Sequence, residues 1–152
     1  DASALIPQVL EEISNTSSIV TPHIGEYKRL FGSEPGTTKE EMLSNVHKLA
    51  KEHGITIALK GWVNIISDGQ QLTAIKRSTP AMTVGGTGDV LSGLAAALLT
   101  KMEPLDAAIV AIYVNGLAGT LAFKQAGLHI IATDLIDNLP LAMKQFDKVR
   151  RP

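Results

Sequence analysis

Two hydrophobic periods alternate along this chain, and their order limits the architectures open to it. Leu5, Val9, Leu10 and Ile13 recur at helical spacing and run into the polar stretch Ser14 to Ser18. Ile19 and Val20 then read as a short buried strand that stops at Thr21-Pro22. Tyr27, Leu30 and Phe31 mark a short helix closed by Gly32, and Ser33 to Thr37, with Pro35-Gly36, reads as a turn. Thr38 and Glu41 form a capping box before a helix whose face carries Met42, Val46, Leu49 and Ala50, with Gly54 as its stop. The β-branched run Ile55 to Leu59 is long enough for a buried strand. Trp62 to Ile66 and Leu72 to Ile75 flank Asp68-Gly69, a hairpin signal.

Helices follow. The loop Ser78 to Gly88 leads into one from Asp89 to Leu99, and Pro104 opens a second that runs to Gln125, with Gly127 just past it. Thr133 is placed to cap a last helix containing Leu135, Ile136 and Leu139. The order βα, βα, hairpin, then helices predicts an α/β sheet covered by helices, with a hairpin inserted.

A length of 152 residues predicts one domain, and 45% hydrophobic residues are enough for a sizeable core. Fourteen basic residues against fifteen acidic ones leave a net charge of −1, so no basic face for nucleic acid is expected. Aromatic residues at 4% supply few base-stacking platforms. The absence of cysteine excludes disulfides, thiolate zinc sites and a thiol nucleophile, and it fits a reducing, cytoplasmic setting. His47 and His53 are six apart and His129 is distant, so no paired zinc spacing arises. The amino-terminal stretch has no basic region of a secretory signal. No stretch is expected to reach the ~20 apolar residues of a membrane helix. The apolar segment Leu94 to Leu99 reads instead as a buried helix of a soluble protein.

The most informative stretch is Met82-Thr-Val-Gly-Gly-Thr-Gly-Asp-Val-Leu-Ser-Gly93. Three glycines in four residues stand directly before a helix. Glycine lets backbone N–H groups turn inward, and the helix start adds partial positive charge, which together suit a phosphate. The loop lacks the Lys-Ser/Thr of a Walker A motif, and Leu91 breaks a GxGxxG pattern. A carboxylate at Asp89 would repel a phosphate, so an adhesive loop has little use for it. Two readings of Asp89 stand: a helix N-cap, or an ionised base that takes a proton from a hydroxyl.

GGTGD before an Ala-rich helix, TPHIGE at the end of an earlier strand and ALKG at the end of another occur in this order. That set resembles the ADP/ATP-dependent NAD(P)H-hydrate dehydratases, relatives of ribokinase and of the vitamin B1 precursor kinases. The resemblance covers nearly the whole chain, from Asp1-Ala-Ser-Ala-Leu through Asn115 to Thr120 and Ala132 to Leu135. Ile24 stands where proline is usual, Val84 replaces a threonine, and Thr120 stands where the family often has aspartate.

The resemblance implies a ribokinase-like α/β layered sheet, of which residues 1–152 would be the C-terminal part, incomplete on its N-terminal side. It implies dehydration of hydrated NADH or NADPH, driven by ADP or ATP with Mg2+. Asp89 would be the base and would touch the substrate, as would His23. Gly85, Gly86, Thr87 and Gly88 would cradle the transferred phosphoryl group. Lys60, Gly61, Trp62, Val63 and Asn64 would line the nucleotide, and Glu26 would help hold magnesium through water. Partners would be the hydrated dinucleotide and a nucleotide, with no nucleic acid or membrane; self-association is left open.

Plainer readings stand beside these. His23 could be a solvent-facing loop residue, Glu26 a first-turn helix acid and Lys60 a solvated strand end. Trp62 and Tyr113 are expected to pack rather than stack, Gly116 and Gly119 to allow close helix packing, and Glu11-Glu12 and Arg150-Arg151 to be solvated. The rival functions are a small-molecule kinase of the same fold, acting on hydroxymethylpyrimidine or hydroxyethylthiazole, and a non-catalytic nucleotide-binding fragment. His23 in TPHIGE, where a kinase of this kind would carry asparagine, favours the dehydratase.

Overall fold

In the computed structural model, which describes residues 1–76 and 79–147, a four-stranded sheet is sandwiched between helices. Ser78, the first residue of the expected loop, and Arg150-Arg151 lie outside the described residues. Strands β1 (Ile19–Val20), β2 (Thr56–Leu59), β3 (Asn64–Ser67) and β4 (Leu72–Ile75) lie side by side in chain order. β1 and β2 are parallel, and β2 to β3 and β3 to β4 are antiparallel. The hairpin expected as an insertion therefore extends the main sheet.

Strand periodicity divides the core. Ile57, Leu59 and Ile65 face a cluster with Leu5, Tyr27, Leu30, Val46 and Ala50, which α1 (Pro7–Ile13), α2 (Ile24–Phe31) and α3 (Lys39–His53) help to build. Ala58 and Ile66 face the other way, onto Leu91 and Ala95 of α4 (Thr87–Leu99) and Leu105, Ala108, Ala111 and Ile112 of α5 (Pro104–Ala126). Cover on both faces explains why every residue of β2 and β3 is buried. Each large side chain so buried contributes about 1.5–3 kcal/mol. α6 (Ala132–Lys144) packs on α5, where the side-chain amides of Gln125 and Asn138 exchange reciprocal hydrogen bonds of 3.3 and 3.2 Å.

Local signals set most boundaries. Thr38 Oγ1 accepts from the Glu41 N–H at 3.2 Å, and Glu41 Oε2 accepts from the Thr38 N–H at 3.1 Å, completing the capping box of α3. Gly54 closes that helix at φ +60°, where a Cβ would meet Asn15 Oδ1 at 2.5 Å. The β3–β4 connection is four residues long, Asp68 to Gln71, instead of a two-residue Asp-Gly turn. Asp68 Oδ1 shapes it by accepting from the Gln70 and Gln71 N–H groups at 2.8 and 2.7 Å. Trp62 and Val63, expected in the strand, lie before it.

Four other expectations change. α4 starts at Thr87, two residues early, because Gly86 takes the N-cap position. At the head of α6, Asp134 and not Thr133 does the capping: its Oδ2 accepts from the Ile131 N–H at 2.7 Å. α4 is buried along one stripe only, through Leu91 and Ala95, since it forms an outer layer. The enclosed helix is α5. With the turn that follows, Pro104–His129 forms 26 residues long and apolar enough to span a membrane by length and composition, contrary to expectation. Eleven buried residues of α5, inside the domain, account for that composition.

Candidate active site

β1 and β2 deliver their carboxyl ends side by side. The Lys60 N–H donates to Pro22 O at 2.7 Å, and His23 and Lys60 form one further parallel bridge. This is where parallel strands of α/β folds commonly present ligand sites. His23 is the N-cap of α2: its Nδ1 accepts from the Glu26 N–H at 3.2 Å, and Glu26 Oε2 accepts from the His23 N–H at 2.8 Å. An accepting Nδ1 places the ring proton on Nε2, which lies 3.3 Å from Glu26 Oε1. Glu26 is thus a first-turn acid and a cavity residue at once, 8% exposed, while the His23 side chain stays largely exposed.

Lys60 is mostly buried, which excludes the solvated reading. Its Nζ donates to Asp1 Oδ1 at 2.8 Å and lies 3.5 Å from Glu26 Oε2. Burial pushes its ammonium below the usual lysine range, and the carboxylates of Glu26 and Asp89 act against that shift. Asp1 Oδ1 also accepts from Thr21 Oγ1 at 3.1 Å. Nothing in the residue pattern assigned a role to Asp1, which lies fifty-nine positions from its lysine.

The opposite wall is the glycine loop. Gly86 sits at φ +91°, a left-handed backbone, and a Cβ there would meet Ala132 Cβ at 2.8 Å. A Cβ on Gly88 would meet Lys60 Nζ at 3.1 Å, which brings the two walls together. Thr87 Oγ1 donates to Met82 O at 2.9 Å and to Val84 O at 3.1 Å, folding the loop onto the helix start. Among the described residues no side chain caps α4. Its first N–H groups are therefore left for an anion. Asp89 occupies the third position of the first turn, exposed. The N-cap reading of Asp89 fails, since Gly86 holds that place.

Both walls open on one cavity of about 750 Å³. Asp89, His23, Glu26, Lys60, Gly61, Trp62, Asn64 and Gly85 to Gly88 all line it, and Val63 does not. Asn64 Oδ1 accepts from the Gly61 N–H at 3.3 Å, closing the loop after β2. Trp62 is 62% exposed with Lys76 Nζ 5.1 Å from its ring, so the packing expectation fails and it stands at the rim. Tyr113 is partly buried, edge-on to Phe146 at 6.0 Å.

The floor is more apolar: Pro80, Met82, Leu91 and Ile112, with Thr79, Asn115 and Gly116. Gly119, one turn beyond Asn115, lies against the Met82 side chain, where any Cβ would overlap Met82 Sδ. Close packing was the reading for this glycine, and the structure shows its partner. The residue pattern gave no role to Thr79 or Asn115. The available signal was an asparagine in the middle of an apolar helix.

Fold and cavity together define an α/β domain with a glycine-rich helix start and an exposed carboxylate on one cavity. The sequence model of the NAD(P)H-hydrate dehydratase family matches residues 1–141, and the chain belongs to this family. It is 51% identical over 150 residues to the ADP-dependent (S)-NAD(P)H-hydrate dehydratase of Nitrosopumilus maritimus, covering 98% of this chain and 52% of that protein. It is 53% identical over 150 residues to the Cenarchaeum symbiosum protein of the same name, with the same coverage. The chain spans about half the length of the curated relatives it matches. Among solved structures, the ADP/ATP-dependent NAD(P)H-hydrate dehydratase of Bacillus subtilis, co-crystallised with ATP/Mg2+ and soaked with CoA, superposes with a TM-score of 0.77 at 29% identity. That match covers 85% of this chain and 49% of the other. The expected α/β class and family thus hold.

Proposed function

We propose that this chain carries the phosphoryl-transfer centre of an enzyme that dehydrates hydrated NADH or NADPH at the expense of ADP or ATP. The observation that carries the reading is the placement of Asp89: an exposed carboxylate one residue beyond Gly88, in the same cavity as His23 and Lys60. The relatives' names and the co-crystallised nucleotide support the choice of substrates.

The ring hydroxyl of the hydrate gives its proton to Asp89, and its oxygen attacks the terminal phosphorus of the nucleotide. The bond from that phosphorus to the departing nucleotide breaks. Backbone N–H groups of Gly85 to Gly88 hold the developing negative charge, and Lys60 opposes it from the other wall. Phosphate is a far better leaving group than hydroxide, so the ring nitrogen's lone pair expels the new ester as inorganic phosphate. Loss of a proton from the neighbouring ring carbon restores the reduced nicotinamide. His23 touches the hydrated ring, and Gly61, Trp62 and Asn64 line the nucleotide, with Val63 supporting that loop from outside the cavity.

No group of three or more candidate metal ligands occurs among the described residues, so the donor set does not form a protein cage. It fits a magnesium ion held mainly by nucleotide phosphates, with Glu26 as one carboxylate acting through water. Such an ion would neutralise phosphate charge.

The test is to incubate the intact protein with hydrated NADPH, ADP and Mg2+. Recovery of the reduced-nicotinamide absorbance with one inorganic phosphate per turnover is expected. A stable phosphate ester without phosphate release would make it a kinase, and nucleotide binding without turnover would make it a binding module.

A further inference from the structure

Ala2, beside the cavity residue Asp1, sits at φ +52°, a left-handed backbone that residues other than glycine seldom adopt. Such a backbone persists only where its surroundings fix it. Two hydrogen bonds from Arg29 of α2 do so here: Nη2 donates to Ala2 O at 2.5 Å, and Nε donates to Leu5 O at 2.9 Å. A guanidinium suits the task, because its donors stand in a rigid planar fork that can hold two carbonyls at once. Leu5, just past the short turn Ala2–Ala4, is buried in the core at 2% exposure, and its N–H donates to Ala2 O at 3.2 Å. Arg29 itself is exposed and is not part of the cavity lining.

What this clamp presents is the Asp1 carboxylate. Asp1 Oδ1 accepts from Lys60 Nζ at 2.8 Å and from Thr21 Oγ1 at 3.1 Å. A Cβ on Gly88 would lie 3.1 Å from Lys60 Nζ and 3.4 Å from Asp1 Oδ2, so the ion pair stands directly against the glycine loop. The second carboxylate on Lys60 is that of Glu26, whose Oε2 is 3.5 Å from Nζ. Glu26 and Arg29 are three residues apart in α2 and so share one face of it. α2 therefore holds both carboxylates that flank the lysine, Glu26 from its own backbone and Asp1 through Arg29. Without Asp1, Glu26 is the carboxylate left within 4 Å of Lys60 Nζ among the described residues.

We propose that Arg29 is a positioning residue for phosphoryl transfer: by clamping Ala2 and Leu5 it sets Asp1, and through Asp1 it aims the Lys60 ammonium at the glycine loop. This role rests on the phosphoryl-transfer reading given above and adds a residue that serves it from outside the cavity.

Hydrogen exchange and a double-mutant cycle on the intact protein test it. In the wild type the Leu5 amide should exchange slowly, and Arg29→Gln should speed it about tenfold with no change in circular dichroism. In the dehydration assay Arg29→Gln should lower kcat by about 10–10²-fold. KM for ADP should stay near the wild-type value, because the backbone donors of the glycine loop are untouched. Asp1→Ala should act alike, and the double variant should be no slower than Asp1→Ala alone, since Arg29 works through that carboxylate. A general loosening of the fold would add to the Asp1 effect instead. Additive losses would therefore overturn the proposal while leaving the phosphoryl-transfer reading standing. So would an unchanged kcat in Arg29→Gln, or fast exchange of the Leu5 amide in the wild type, a measurement that needs no variant. Failure of the wild type to turn over at all would overturn both readings.

Discussion

On the sheet side of the cavity the charged groups already hold one another: His23 with Glu26, Glu26 with Lys60, Lys60 with Asp1. On the loop side Gly86 caps α4 without a side chain, and Thr79 and Asn115 have polar atoms with no partner among the described residues. The first wall is satisfied before any ligand arrives, so a ligand there must exchange one set of partners for another. The second wall gains partners outright. Affinity should accordingly come from the loop side, while the sheet side sets charge and orientation. Asp89 stands at the seam, on the loop's helix but within electrostatic reach of Lys60.

The largest effect is expected at that seam. Asp89→Asn should lower turnover by about 10²–10⁴-fold, while ADP binding measured by calorimetry stays near the wild-type value, since the carboxylate adds no affinity for phosphate. Gly86→Val comes next. A branched residue at φ +91° costs about 1–3 kcal/mol, and its Cβ would press on Ala132. Thermal melts should show the loss, and ADP affinity should fall with it; unchanged affinity in a folded variant would move the phosphate site off this loop.

Lys60→Met probes the satisfied wall. Asp1 and Glu26 lose a charged donor, which should cost about 1–2 kcal/mol after allowing for the residual exposure of the lysine. The His23–Glu26 cap should survive, so helix content by circular dichroism should not change.

The smallest effect lies behind that wall, at Tyr27 of α2. Its hydroxyl is buried with no partner among the described residues, and burial pushes its pKa up to about 12. The folded state then keeps a proton that the unfolded chain gives up near pH 10, so this contribution is whole below pH 10 and is lost as pH rises toward 12. Tyr27→Phe should flatten the alkaline fall in stability and leave stability at neutral pH little changed.

Much of this was legible in short stretches of chain, because the forces concerned act over a few residues. The Thr38–Glu41 box, the Gly54 stop and the glycine loop each depend on neighbours within a turn. Boundaries slipped where a neighbour took over a role: Gly86 for Asp89, Asp134 for Thr133, Asp68 for the two-residue turn. What could not be read was set by long-range contact. Asp1 meets Lys60 only in the folded chain, and the hairpin joins the main sheet through its register with β2. The unpaired atoms of Thr79 and Asn115 were invisible for the same reason.

The central claim is that the substrate's own hydroxyl attacks the phosphoryl group held between these walls. Hydrated NADPH carrying ¹⁸O at the ring hydroxyl, turned over with unlabelled ADP in unlabelled water, tests it directly. The account predicts one ¹⁸O in each inorganic phosphate released. Label appearing in water, with phosphate oxygen drawn from solvent, would contradict it.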